Sequence, residues 1–250
     1  MRRRLAAAAM LAACLGAVPL PAGAEGLVVI DSSAPALPAG TTVDTGASIE
    51  VPAGQRIVLA SQSGQVMTIT GPYKGAPPAT AGAGGAGSEN MLKILPTLLG
   101  SADQRQAAGV VRATDAAWRQ EGVASPADVM AINSTDGGDI CLYDPAAAML
   151  VHNPSREGRM TIEPMNGGGK VTVEWPKDTR TMPWPAALPI ADGDAFMFEQ
   201  AGDTGAAIAT LHILPQKPDA SELDRAAQLA EAGCRDQARL LVTLVAKSAK

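Results

Sequence analysis

The sequence predicts a mainly β protein closed by two helices. Three observations carry this. Short runs rich in Val, Ile and Thr recur along the chain, punctuated by Gly, Pro, Asp and Asn. Aromatic residues make up only 3 % of the chain, so Val, Ile, Leu, Met and Ala must build the core. Beyond Pro218 the apolar period changes from two to 3.6, with a capped start and a glycine between two apolar stripes.

Residues 1–24 read as a secretory signal peptide. Arg2, Arg3 and Arg4 form a basic start, and Leu5 to Leu20 is an apolar run dominated by alanine. Pro19 and Pro21 break it, and Ala22-Gly23-Ala24 fits the small-x-small cleavage rule. A retained anchor would need about 20 unbroken apolar residues. The mature chain is therefore expected to begin at Glu25, periplasmic or secreted, with no retained transmembrane helix. Leu11-Ala12-Ala13-Cys14 also reads as a lipoprotein box, and the alternative is an anchor through lipidated Cys14.

Residues 25–74 predict a small β domain. Leu27-Val28-Val29-Ile30, Ile49-Glu50-Val51, Arg56-Ile57-Val58-Leu59 and residues 65–70 are short strands, with turns at Gly46, Pro52-Ala53-Gly54 and Ser63-Gly64. Their spacing suggests an antiparallel meander or barrel. Residues 75–88, mostly Gly, Ala and Pro, cannot pack a core and read as a flexible linker. Residues 89–121 form a helical connector. Glu89 to Leu99 is the first helix, with Pro96 placing its second half in question, and Gln104 to Ala117 is the second.

Residues 122–215 carry about seven strand candidates: 129–132, 140–143, 149–152, 159–163, 170–175, 196–199 and 207–214. Asp136-Gly137, Asn153-Pro154, residues 166–169 and Asp192-Gly193 separate them. That count and spacing predict an immunoglobulin-like β-sandwich. Trp175 and Trp184 bracket a Pro-rich stretch, and plugging the sandwich is favoured over forming a surface aromatic patch. Residues 216–250 predict an αα-hairpin. Ser221, Glu222 and Asp224 suit a helix start, Leu223, Ala226, Ala227, Leu229 and Ala230 form a stripe, and Ala238, Leu241, Leu244 and Val245 form the next.

The 20 basic side chains against 25 acidic ones include Arg2, Arg3 and Arg4, so the mature chain is more acidic than the precursor's net −5. With no basic block, it lacks the phosphate-neutralising stripe of a nucleic-acid binder. Apart from Cys14, the cysteines are Cys141 and Cys234. An even number in an oxidising compartment predicts a Cys141–Cys234 disulfide tying the last helices to a strand; the alternative is two buried free thiols.

The stretch Ala232-Gly233-Cys234-Arg235-Asp236-Gln237-Ala238-Arg239-Leu240-Leu241 resembles the closing GC-x-x-QA-x-x-LL of exported alphaproteobacterial proteins. Gly71-Pro72 and Trp184-Pro185 before Leu188-Pro189 are similar to the same group. The resemblance carries no activity. The first β segment also resembles FecR-type periplasmic β domains, which implies sensing or binding of other envelope proteins.

One motif looks catalytic. Val43-Asp44-Thr45-Gly46-Ala47-Ser48 and Asp203-Thr204-Gly205-Ala206-Ala207 resemble the paired signatures of pepsin-like proteases. That resemblance implies Asp44 and Asp203 sharing one proton across an activated water. Asp-Thr-Gly is equally ordinary turn composition, and Asp203 sits between two strand candidates, where a hairpin turn is expected. His152 and His212 are the only histidines, with no zinc-ligand spacing around them. No phosphate loop or Gly-x-Ser-x-Gly elbow occurs. The expectation is a non-catalytic envelope protein without cofactor or metal, binding or scaffolding another envelope protein or a glycan; the alternative is the aspartic protease.

Overall fold

A computed structural model describes residues 26–78, 90–106, 123, 125–135, 137–152, 158–202 and 205–249. The expected signal peptide with Cys14, most of the expected linker, most of the expected second connector helix, and Asp203 lie outside the described residues. The protein is mainly β, with several antiparallel pairings and two C-terminal helices.

The first β unit contains β1 (Gly26–Ser32), β2 (Thr42–Asp44), β3 (Ile49–Val51), β4 (Arg56–Ser61), β5 (Val66–Thr70) and β6 (Tyr73–Gly75). β2, β1, β4 and β5 form an antiparallel sheet in that order, and β3 pairs with β6. The continuous apolar runs of β1 and β4 are explained by burial on both faces. Leu27, Val29, Ile57 and Leu59 join Val43, Ile49, Val51 and Ile69 in one small core. Val28, Ile30, Val58 and Ala60 belong to a second cluster on the opposite face. Gly71, between β5 and β6, has a packing reason: a Cβ there would lie 1.9 Å from the Pro52 carbonyl oxygen.

Helices cover that second face. α1 (Met91–Gln106) runs through Pro96 without ending. Met91, Leu95 and Leu98 are buried on the same cluster as Val28 and Ile30, and this packing outweighs the backbone hydrogen bond the proline cannot make. The short α2 (Pro126–Val129) replaces the expected strand at 129–132. Its signal is local: Ser125 caps it reciprocally with Asp128, and Pro126 sits in its first turn. α3 (Glu222–Glu231) starts with a second reciprocal cap, Ser221 with Asp224, and α4 (Arg235–Ser248) follows. Of the apolar stripes expected from the sequence, Leu223, Ala226, Ala227, Leu229, Ala238 and Leu241 are buried and Ala230, Leu244 and Val245 are half-buried, while Val242, outside the expected stripe, is buried as well. The two helices therefore cover the first β unit and meet the second at Cys141, so they do not rest on the second unit alone.

The second unit contains β7 (Ile132–Asn133), β8 (Gly138–Leu142), β9 (Met149–Val151), β10 (Gly158–Pro164), β11 (Val171–Trp175), β12 (Thr181–Pro183), β13 (Ala195–Gln200) and β14 (Ala206–Ile213). A five-stranded sheet runs β11-β10-β13-β14-β8, antiparallel except for the parallel β14–β8 pair. A three-stranded sheet runs β12-β9-β7. Both contribute to one core: Ile132 and Leu150 from the smaller sheet meet Ile140, Met160, Ile162, Phe198 and Leu211 from the larger. Trp175 is buried in this core and donates its Nε1–H to the Thr179 carbonyl at 2.6 Å. Trp184 packs edge-on against Phe196, with centroids 4.9 Å apart, and donates to the Leu188 carbonyl. Each indole nitrogen has found a partner, as a buried tryptophan requires.

Candidate functional site

The tail motif is a clasp. Cys141, on β8, and Cys234, between α3 and α4, form a disulfide with Cα atoms 5.9 Å apart. One helical turn on, Gln237 is buried. Its Oε1 accepts from the Cys141 N–H at 2.7 Å, and its Nε2 donates to the carbonyls of Cys141 at 3.1 Å and Val129 at 3.0 Å. One side-chain amide thus satisfies both backbone groups of Cys141 on the edge strand β8, as a neighbouring strand would. Gln237, read from the sequence only as part of a resemblance, has a packing reason. The end of β8 is fixed too: Tyr143 lies close to Gln228, Oη to Oε1 3.3 Å. Burial pushes the Tyr143 hydroxyl above its ordinary pKa, and the nearby Arg225 opposes that shift.

Asp44 stands at the end of β2, exposed, in a turn closed by the Ala47 N–H donating to the Asp44 carbonyl at 2.9 Å. Thr45 and Gly46 are the turn's inner residues. Gly205 and Ala206 follow Asp203 on the hairpin joining β13 to β14, whose register pairs Glu199 with Ala206. The described residues around both Asp-Thr-Gly stretches are therefore turn or hairpin residues. Asp44 belongs to the first β unit and the hairpin to the second.

A buried polar cluster missed by the sequence reading lies at the hairpin end of the second unit. His152 is 1 % exposed. Its Nδ1 is 3.5 Å from Ser134 Oγ, its Nε2 is 3.1 Å from Gln200 Nε2, and its ring lies 4.9 Å from that of Trp175 at a tilt of 54°. Ser134 follows β7, His152 follows β9, and Gln200 ends β13, so the cluster ties the small sheet to the large one. Ser134 Oγ also lies 3.4 Å from the Val151 carbonyl, to which it can donate. No local sequence pattern could have revealed the cluster, because its members come from three strands.

Two depressions flank this hairpin end. One, of about 420 Å³, is lined by Ser134, Thr135, Phe198, Gln200 and Ala206 among others. The other, of about 380 Å³, has Arg159, Thr161, Glu199 and Gln200 in its wall. The first offers hydroxyls and an amide beside Phe198, and the second a guanidinium, a hydroxyl, a carboxylate and the same amide, groups able to hydrogen-bond a polar ligand. Among the described residues no group of three or more His, Cys, Asp or Glu side chains is placed to hold a metal ion, and no helix is long and apolar enough to cross a membrane. No protein-family model, curated protein or solved structure matches this chain.

Proposed function

We propose that this is an exported, non-catalytic envelope protein whose second β unit, an immunoglobulin-like sandwich, binds another envelope protein or a glycan through the paired depressions at the β13–β14 hairpin end. The carrying observation is the polar lining that meets at Gln200, held in place from beneath by the Ser134–His152–Gln200 cluster. A recognition site gains affinity when its polar groups are fixed before the ligand arrives. The signal-like leader and the Cys141–Cys234 disulfide support a periplasmic or secreted location, with lipidated Cys14 as the alternative.

The test is affinity capture from envelope extract, in parallel with co-sedimentation on purified peptidoglycan. The wild type is compared with Ala206→Trp, which fills the shared wall of both depressions. Wild type is expected to retain a specific protein or the glycan, and Ala206→Trp to lose at least tenfold of that binding. Retention unchanged by Ala206→Trp, or no retention of either class, defeats the proposal.

A further inference from the structure

The edges of the sheets differ in how they are finished. β8 is closed by the Gln237 amide and the disulfide. β12 has three residues and ends in Pro183, β2 also has three, and β7 has two. β5 lies beside the end of α4, where Thr68 donates to the Ala249 carbonyl at 2.6 Å. β11 is different. It is five residues long, stands at the end of the strand order, contains no proline, and pairs with β10 without a register shift. An edge of this kind is a template for another strand.

We propose that β11 pairs antiparallel with β11 of a second copy of this chain, about a two-fold axis at Thr172, making one continuous ten-stranded sheet. The support is the self-complementarity of Lys170-Val171-Thr172-Val173-Glu174. A two-fold axis at Thr172 puts Lys170 of each copy opposite Glu174 of the other, and Val171 opposite Val173. Directly opposed residues in an antiparallel pair share a face. Lys170, Thr172 and Glu174 are exposed on the outer face, whereas Val171 and Val173 are half-buried against the core and would be covered by the new strand.

The complementarity extends one strand further on each side. Within a copy, Arg159 pairs with Glu174 at 2.9 Å and Lys170 with Glu163 at 2.5 Å. Across the dimer, an outer row then reads Arg159, Glu174, Lys170, Glu163, with the signs alternating. The central row reads Thr161, Thr172, Thr172, Thr161, since Thr161 is the registered partner of Thr172. On the core side, Met160 and Val173 meet Val171 and Ile162. Every row pairs compatible chemistry, and the interface is isologous, so it closes at two copies. A single strand pair is a small interface, which suits a dissociation constant of about micromolar or weaker.

The test uses the full chain with its disulfide intact, by sedimentation velocity across a concentration series. Wild type is expected to dimerise. Lys170→Glu alone, and Glu174→Lys alone, each set like charges opposite one another twice and are expected to weaken the dimer about tenfold. An equimolar mixture of the two variants restores opposite charges at both positions and is expected to dimerise as wild type does. Unchanged thermal midpoints show that both variants are folded. As a register check, Thr172→Cys is expected to form an intermolecular disulfide under mild oxidation, because opposed Cα atoms in such a pair lie about 4.5–5.5 Å apart. A wild type that stays monomeric throughout, variants that dimerise like wild type, a mixture that fails to recover, or no cross-link at Thr172 would each overturn the proposal.

Discussion

The first sheet and the five-stranded sheet are both largely antiparallel, yet their strands are built differently. In β1, Leu27, Val28, Val29 and Ile30 are buried one after another. In β13, Phe196 and Phe198 are buried, while Met197 and Glu199 face the other way and are less covered. The first sheet lies between its own small core and the helices; the second has a core on one side and, except at β8 where Cys141 joins the helical cluster, a more open face on the other. Hydropathy period therefore reports how many layers a strand separates, more directly than it reports which fold the strand belongs to. The outer face is also where the cross-strand ion pairs Arg159–Glu174 and Lys170–Glu163 lie, together with the His212–Asp139 contact.

The comparison can be broken most strongly at the disulfide. Cys141 and Cys234 close a long loop between the two units, with a sequence separation of 93. The chain-entropy account assigns such a loop about 4.5 kcal/mol. Cys234→Ser is expected to lower stability by about 2–5 kcal/mol in denaturant unfolding; a loss under 1 kcal/mol would mean that the helices hold the second unit without it. Next comes the doubly buried strand. Leu59→Ala is expected to cost about 2–5 kcal/mol, as a fully buried leucine does.

Gln237→Ala leaves both backbone groups of Cys141 without their partner and is expected to cost about 1–3 kcal/mol. Hydrogen exchange should quicken at the Cys141 amide. An unprotected Cys141 amide in the wild type would contradict the clasp. The smallest effect is expected on the open face. Ile208, 50 % exposed on β14, should tolerate Thr within about 0.5 kcal/mol. A larger loss there would mean that the outer face is covered in solution.

What the sequence made legible follows the range of the signal. The helix caps at Ser221 and Ser125 are complete within four residues; the first was recognised, and the second was overlooked beneath the apolar run that follows it. The strands of the large sheet were legible because five or more residues with clear turns between them carry their own pattern. β2, β6 and β12, three residues each, carry too little pattern to stand out and exist through their partners. The same holds for the site. Cys141 and Cys234 could be paired by counting, whereas Gln237 looks like any helix-surface glutamine until its position against β8 is known. Ser134, His152 and Gln200 meet only because two sheets close over one core.

The helical clasp also sets an order of events. Val28, Ile30, Val58 and Ala60 are among the first apolar residues of the β fold to be synthesised; α1 covers part of that face soon after, but the α3 and α4 residues that complete the cover come far later. β8 is likewise made long before Gln237 and Cys234 reach it. A chain growing from its N-terminus therefore carries a partly covered apolar sheet face and an unsatisfied strand edge until α4 arrives. Such surfaces are sticky. Chains lacking α4 are expected to be recognised as unfinished by chaperones and proteases.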